Sequence, residues 1–246
     1  MNTEAIFEYL QTFKNFPTYQ FERRIDAFLL PYLETVFNKH FETDDFVFVF
    51  PEFPLYRIDE ASLRILNFDD KQSAQADYFL FSRNLSKVCF VELKTDESSI
   101  NTKQVVTYIR NAEAECGWDK LYYYYLHKTH KNNDWRKFIH GLIYINKVAP
   151  ELVGNNYDKD VEKFVAKEIG KGVNAIIENM KENISFKDSP DVCFCYIGPS
   201  KGKSKVTKII DEFDKEMKYY AGYITLTQFA DSIRSPLQEL LLKIDK

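Results

Sequence analysis

The chain of 246 residues lacks a long apolar run, has little glycine and proline, and carries no excess of positive charge. A membrane-spanning helix needs about 20 consecutive apolar residues, so we predict no membrane segment. The charges scattered through the first residues also argue against a secretory signal. Eight glycines and eight prolines exclude collagen-like and low-complexity chains. The net charge of −4 excludes a protein that coats nucleic acid by bulk electrostatics alone.

Cysteine is also scarce, with four in the chain and no pair spaced as Cys-x-x-Cys. Zinc sites built on cysteine usually contain such pairs, so we predict no zinc site of that kind. Four cysteines could form two disulfides, but we favour free, mostly buried thiols in a reducing compartment. The sequence therefore predicts a cytoplasmic protein.

Apolar and aromatic residues are abundant, at 45% and 16% of the chain, which is enough for a sizeable core. Their periodicity predicts a helix from Thr18 to Phe41 that Pro31 kinks or divides. The alternation of helices and strands predicts one mixed α/β domain over residues 1–246. The strands are predicted at 46–57, 76–82, 87–94, 121–127 and 191–198, and the further helices at 97–116, 132–138, 158–179, 206–219 and 235–244.

Charged residues interrupt two of the apolar strands. Asp77 lies near the start of one strand, and Glu92 and Lys94 lie at the end of the next. Glu92 and Lys94 share a face because residues two apart on a strand point the same way. Unpaired charges are costly to bury, so the pair forms either a structural salt bridge or a chemical site. Phosphodiester hydrolysis suits the second interpretation, with Asp77, Glu92 and the Leu93 carbonyl as Mg²⁺ ligands and Lys94 orienting the attacking water.

This pattern resembles the PD-(D/E)xK nuclease superfamily, in which an acidic residue precedes Glu-x-Lys at the end of the adjacent strand. The family order of helix, three strands, helix and strand is similar to residues 18–127. The resemblance therefore implies a restriction-endonuclease-like core there, with 128–246 as a largely helical extension that packs on it and contains one further strand. The sequence departs from the family at Ala76, where the motif has proline.

Two further similarities extend the resemblance. Gln104 and Tyr108 form the QxxxY motif of RecB-like members, and they share a helix face because they are four residues apart. Glu22 occupies the place on the first helix where many members carry a glutamate. The resemblance implies that Gln104 and Tyr108 support the site and that Glu22 assists the metal or its water shell. It implies Mg²⁺ or Mn²⁺ as cofactor, with Asp77, Glu92, Lys94 and Glu22 as the catalytic residues.

Basic residues concentrate in the second half of the chain. Residues 1–117 carry a net charge of −7 and residues 118–246 a net charge of +3. Positive groups in the second half are suited to contact a phosphate backbone, and those at 198–205 lie in a stretch predicted to be a loop. The candidate nucleic-acid contacts are Lys201, Lys203, Lys205, Arg136 and Lys137.

The resemblance favours DNA over RNA as the partner, and many members of the superfamily act as homodimers. Two alternatives stay open at this stage. The chain could be a catalytically inactive protein that binds nucleic acid or another partner on the same fold. The match could also be coincidental, in which case Asp77, Glu92 and Lys94 need not lie together.

Overall fold

The computed structural model describes residues 25–26, 28–42, 45–58, 74–84, 86–113, 191–214, 218–233 and 237–245. The predicted strand at 121–127 and the predicted helices at 132–138 and 158–179 lie outside these residues. Among the helices that are described, none is long and apolar enough to cross a membrane.

The described strands form one mixed sheet whose spatial order is the order along the chain. The first three strands pair antiparallel, and the third, fourth and fifth pair parallel. This arrangement confirms the mixed α/β class predicted from the sequence. The strands are β1 Phe46–Leu55, β2 Ala74–Ser82, β3 Lys87–Leu93, β4 Asp191–Gly198 and β5 Tyr220–Thr225.

Strand β1 accommodates two prolines, Pro51 and Pro54. Proline cannot donate to a sheet ladder and is tolerated at edges and bulges. Among the described strands β1 pairs only with β2, and the register shifts between Phe48 and Phe50. Both conditions that permit proline are therefore met.

The first helix is divided at Pro31, as predicted. Residues 25–26 and 28–29 are helical, and a 3-10 turn, Leu30–Tyr32, separates them from helix α1, Leu33–His40. The proline ring has no N–H to continue the helical hydrogen bonds, which explains the change at this point. The other described helices are α2 Thr102–Glu113, α3 Ser200–Phe213, α4 Leu226–Asp231 and α5 Leu237–Ile244.

Helices cover both faces of the sheet. Successive strand residues point to opposite faces, and strand β3 is buried along almost its whole length, so neither of its faces is open to solvent. One face packs against α1, α4 and α5, and the other packs against α2 and α3. On the α2 face the aromatic side chains of neighbouring strands contact one another, as in the stacked pair Phe53 and Phe79 with centroids 4.2 Å apart. The core of the α1 face includes Leu33, Val36, Phe37, Leu80, Val91, Cys195, Ile197, Phe229 and Leu240.

The C-terminal half contributes more to the sheet than the sequence predicted. Strand β4 was assigned to an extension, and it pairs along the full length of β3. The prediction of one further strand was wrong, because β5 also lies in this half and pairs parallel with β4. Strand β5 is only six residues long and contains Gly222, so it gives little strand signal.

The predicted loop at 198–205 was also wrong, since helix α3 begins at Ser200. Gly202 is buried in α3, and a β-carbon there would lie 2.6 Å from the Tyr223 hydroxyl and 2.6 Å from the Ile100 side chain. Glycine is therefore required by close packing in a helix, whereas the sequence pattern was interpreted as a loop.

A buried carboxylate joins the starts of α3 and α4. Asp245 accepts hydrogen bonds from the Ser200 hydroxyl at 2.9 Å and the Thr227 main-chain N–H at 2.8 Å. The Ser200 main-chain N–H and the Thr227 hydroxyl also donate to it. The first N–H groups of a helix have no partner within the helix, so Asp245 fixes both helices at one edge of the sheet.

The described thiols agree with the cysteine prediction. Cys89, Cys193 and Cys195 are free, and Cys116 lies outside the described residues.

Candidate active site

The Glu92 carboxylate is the centre of a buried polar cluster on the α2 face. Glu92 is 2% exposed. The Lys94 ammonium lies 2.5 Å from Oε1, the Gln104 amide also donates to Oε1, and the Tyr108 hydroxyl donates to Oε2. Three donors from two elements therefore hold this carboxylate in one orientation.

Helix α2 brings two of those donors to the end of β3. The Asn101 side chain accepts from the Gln104 main-chain N–H at 2.9 Å and so caps the start of the helix. Near the other end, Asn111 accepts from the Tyr56 main-chain N–H at 2.8 Å and donates to the Tyr56 carbonyl at 2.9 Å. Because both ends are fixed, Gln104 and Tyr108, one turn apart, are held over Glu92.

Asp77 reaches the same place from strand β2. It lies one residue beyond the antiparallel pair of Tyr78 with Val91, so it continues the ladder beside Glu92. Its Oδ2 accepts from the Leu93 main-chain N–H at 2.7 Å. The structure therefore brings Asp77, Glu92 and Lys94 together on neighbouring strands.

Lys94 is buried together with its partner. Its side chain is 9% exposed and that of Glu92 is 3% exposed. Its main-chain N–H donates to the Ile197 carbonyl at 2.8 Å, which extends the β3 and β4 pairing to the lysine itself. Removing two charges from water costs free energy that their attraction only partly returns, so this pair is a poor device for stability alone.

Two tyrosines line the cluster and stay protonated. Burial raises the pKa of Tyr108 well above its usual value, and the negative charges of Glu92 and then Asp77 raise it further. The same causes, in the same order, raise the pKa of Tyr196 on strand β4. Both hydroxyls are therefore neutral groups beside two carboxylates.

The sequence missed Tyr196, although it pairs directly with Glu92 across the parallel strands. Only the register of β3 against β4 places it there, and this register joins segments far apart in the chain. The local pattern of β4 contains no signal that one of its aromatic residues adjoins the carboxylates.

The lysines of α3 lie at the same edge of the sheet as Lys94, since α3 follows the carboxyl end of β4, which is parallel to β3. Lys205 donates to the Glu97 carbonyl at 3.2 Å, in the connection between β3 and α2. Lys203 is exposed. The pKa of His40 is lowered mainly by the burial of its ring, and the positive charge of Lys203 lowers it further. Lys201 is exposed as well. Lys205 is therefore bonded to the connection between β3 and α2, whereas Lys201 and Lys203 are exposed on α3.

Three predicted site residues cannot be placed in this geometry. Glu22, Arg136 and Lys137 lie outside the described residues.

The carboxylate oxygens of the cluster are suitable ligands for a hard divalent cation. Mg²⁺ prefers carboxylate, carbonyl and water oxygens, and Asp77 and Glu92 provide two carboxylates on one face of adjacent strands. Within the described part of the chain, no group of three or more histidine, cysteine, aspartate or glutamate side chains is arranged to hold a metal ion. A complete ligand set would therefore need the Leu93 carbonyl, water or Glu22 as well.

Comparisons with known protein families, with curated proteins and with solved structures found no match.

Proposed function

We propose that the protein is a divalent-cation-dependent phosphodiesterase that cleaves nucleic acid, with DNA favoured over RNA. The observation that carries this proposal is the buried Glu92 carboxylate, which Lys94, Gln104 and Tyr108 hold beside Asp77. A salt bridge formed only for stability would not need a second carboxylate or two further donors at the same point.

A restriction-endonuclease-like core is part of this proposal. A helix, three antiparallel strands, a helix and a parallel strand occur in that order in the described chain. Residues 114–190 separate helix α2 from β4, so the described sheet completes the pattern with a strand from much later in the chain than the sequence predicted. The QxxxY pair, Gln104 and Tyr108, contacts the glutamate of the Glu-x-Lys motif, which adds support.

Asp77, Glu92 and the Leu93 carbonyl would hold Mg²⁺ or Mn²⁺, with Glu22 as a further candidate. When bound, the cation polarises the phosphate and lowers the pKa of a coordinated water. Gln104 and Tyr108 keep the Glu92 carboxylate oriented by their hydrogen bonds. Lys94 orients the attacking water or stabilises the negative charge that develops on the phosphate.

Nucleic acid would approach the edge of the sheet where β3 and β4 end. Lys201 and Lys203 at the start of α3 are exposed at this edge, and we propose that they contact phosphates. Lys205 is engaged with the Glu97 carbonyl, so its contribution would be to hold the β3 to α2 connection in place.

Cleavage of labelled single- and double-stranded DNA and RNA tests this proposal. We expect products with Mg²⁺ or Mn²⁺ and none with a chelator. Asp77→Asn should lower the rate by roughly a hundredfold or more, because it removes a charged cation ligand. Asp231→Asn is the matched control, since Asp231 is exposed at the end of α4 and should leave the rate unchanged. The proposal is contradicted if the unsubstituted protein cleaves none of these substrates with either cation.

A catalytically inactive binding protein is the second candidate, because the Lys94 ammonium already neutralises Glu92. Calorimetry separates the two functions. An inactive protein of this kind should bind nucleic acid without binding Mn²⁺, whereas a nuclease should bind both.

A further inference from the structure

Tyr196 lies buried beside Glu92 in the candidate site. It pairs with Glu92 across β3 and β4, so both side chains lie on the α2 face. Its ring makes an edge contact with Tyr108 at 5.9 Å between centroids and stacks on Tyr223 at 6.4 Å. It is 0% exposed.

The Tyr196 hydroxyl differs from those of the two tyrosines beside it. The Tyr108 hydroxyl donates to Glu92, and the Tyr223 hydroxyl donates to the Pro199 carbonyl at 2.8 Å. The buried Tyr196 hydroxyl has no hydrogen-bond partner among the residues that the structure describes. A buried hydroxyl without a partner costs free energy, and phenylalanine would fill the same space without that cost.

The charged groups that face this hydroxyl indicate what it binds. Asp77, Glu92 and Tyr196 occupy neighbouring positions on β2, β3 and β4, on one face of the sheet. A cation held by the two carboxylates would therefore lie close to the Tyr196 hydroxyl. Mg²⁺ and similar hard cations keep several bound waters in proteins, and side chains that bind such waters orient the metal.

We infer that the Tyr196 hydroxyl oxygen accepts a hydrogen bond from a water bound to the divalent cation of this site. Tyr196 is then a positioning residue, which acts on the cation and its water shell rather than on the reacting phosphate. This inference rests on the proposed function, because it requires a cation at Asp77 and Glu92.

Tyr196→Phe tests the inference in the full chain, with Mn²⁺ as the calorimetric probe. We expect Mn²⁺ to bind about three- to tenfold more weakly, as for the loss of one neutral hydrogen bond. Without cation, the melting temperature should stay the same or rise, because an unpaired hydroxyl has been removed. The cleavage rate should fall at low Mn²⁺ and return to the unsubstituted rate at saturating Mn²⁺.

Tyr223→Phe is the matched control. The Tyr223 ring stacks on Tyr196, and the substitution removes only its hydroxyl, which donates to the Pro199 carbonyl. It should lower the melting temperature and leave Mn²⁺ affinity unchanged.

Unchanged Mn²⁺ affinity in Tyr196→Phe overturns the inference and leaves the proposed function standing. A lower cation-free melting temperature for Tyr196→Phe also overturns it, since the hydroxyl would then be bonded within the protein. If the unsubstituted protein binds no Mn²⁺, the proposed function fails and the inference fails with it.

Discussion

Replacing Lys94 by methionine is expected to lower the rate of cation-dependent cleavage by about a hundredfold to a thousandfold, the usual effect of losing a group that stabilises transition-state charge. Methionine retains most of the apolar stem and removes the ammonium. Glu92 keeps its hydrogen bonds from Gln104 and Tyr108, so its carboxylate is not left without donors. The protein should therefore fold, and the loss should appear in kcat on an oligonucleotide at saturating Mg²⁺.

Lys87→Met is the matched control for this experiment. Lys87 begins the same strand, is exposed, and lies at the opposite end of β3 from Lys94. It should change kcat and the melting temperature little. A Lys94→Met protein that cleaves within a few-fold of the unsubstituted rate contradicts the catalytic role of the lysine.

Glu92→Gln is expected to lower the free energy of unfolding by about 3 kcal/mol, because a buried ammonium loses the opposite charge in contact with it. The change keeps the size of the side chain but replaces one carboxylate oxygen by an NH₂ group, so the loss combines the missing charge with one lost hydrogen-bond acceptor. Denaturant unfolding measures it. Glu212→Gln, on the exposed side of α3, should stay within about 0.5 kcal/mol of the unsubstituted protein.

The double variant Glu92→Gln with Lys94→Met measures the interaction between the two charges directly. Removing both charges should restore part of the lost stability, since no ammonium then remains opposite a neutral group. The cycle should therefore give a favourable coupling between Glu92 and Lys94. If the two single effects simply add, the two charges do not interact in solution, which contradicts the prediction.

Local periodicity predicted which neighbouring residues share a face. Spacing of two placed Glu92 and Lys94 on one face of a strand, and spacing of four placed Gln104 and Tyr108 on one face of a helix. The hairpin of β2 and β3 placed Asp77 beside Glu92 and Lys94 through its short connection. These relations depend only on backbone geometry within one element or one hairpin. That the helix face of Gln104 and Tyr108 meets Glu92 was implied by the family resemblance alone.

The parts that the sequence could not predict depend on long-range packing. Strands β3 and β4 are apolar on both faces, so their pattern does not specify which strand pairs with which. Tyr196 was missed for this reason. The loop predicted at 198–205 was wrong because a glycine required by close packing, such as Gly202, and a glycine in a loop look the same in sequence.

In the structure, the candidate site combines two carboxylates with one ammonium, which contacts Glu92. Two neighbouring carboxylates repel each other, and the Lys94 ammonium offsets this repulsion at Glu92. With a cation held by Asp77 and Glu92, Lys94 would no longer be needed to offset the charge of Glu92 and could contact the phosphate. Cation binding and the availability of the lysine are thus coupled in this account.

A crystal structure with Mn²⁺, with the ion located by anomalous diffraction, tests the central claim most directly. We expect an ion with oxygens of both Asp77 and Glu92 at roughly 2.0–2.4 Å, and a Lys94 ammonium displaced from Glu92. An empty site with Lys94 still paired to Glu92, at a Mn²⁺ concentration that supports cleavage, would contradict it.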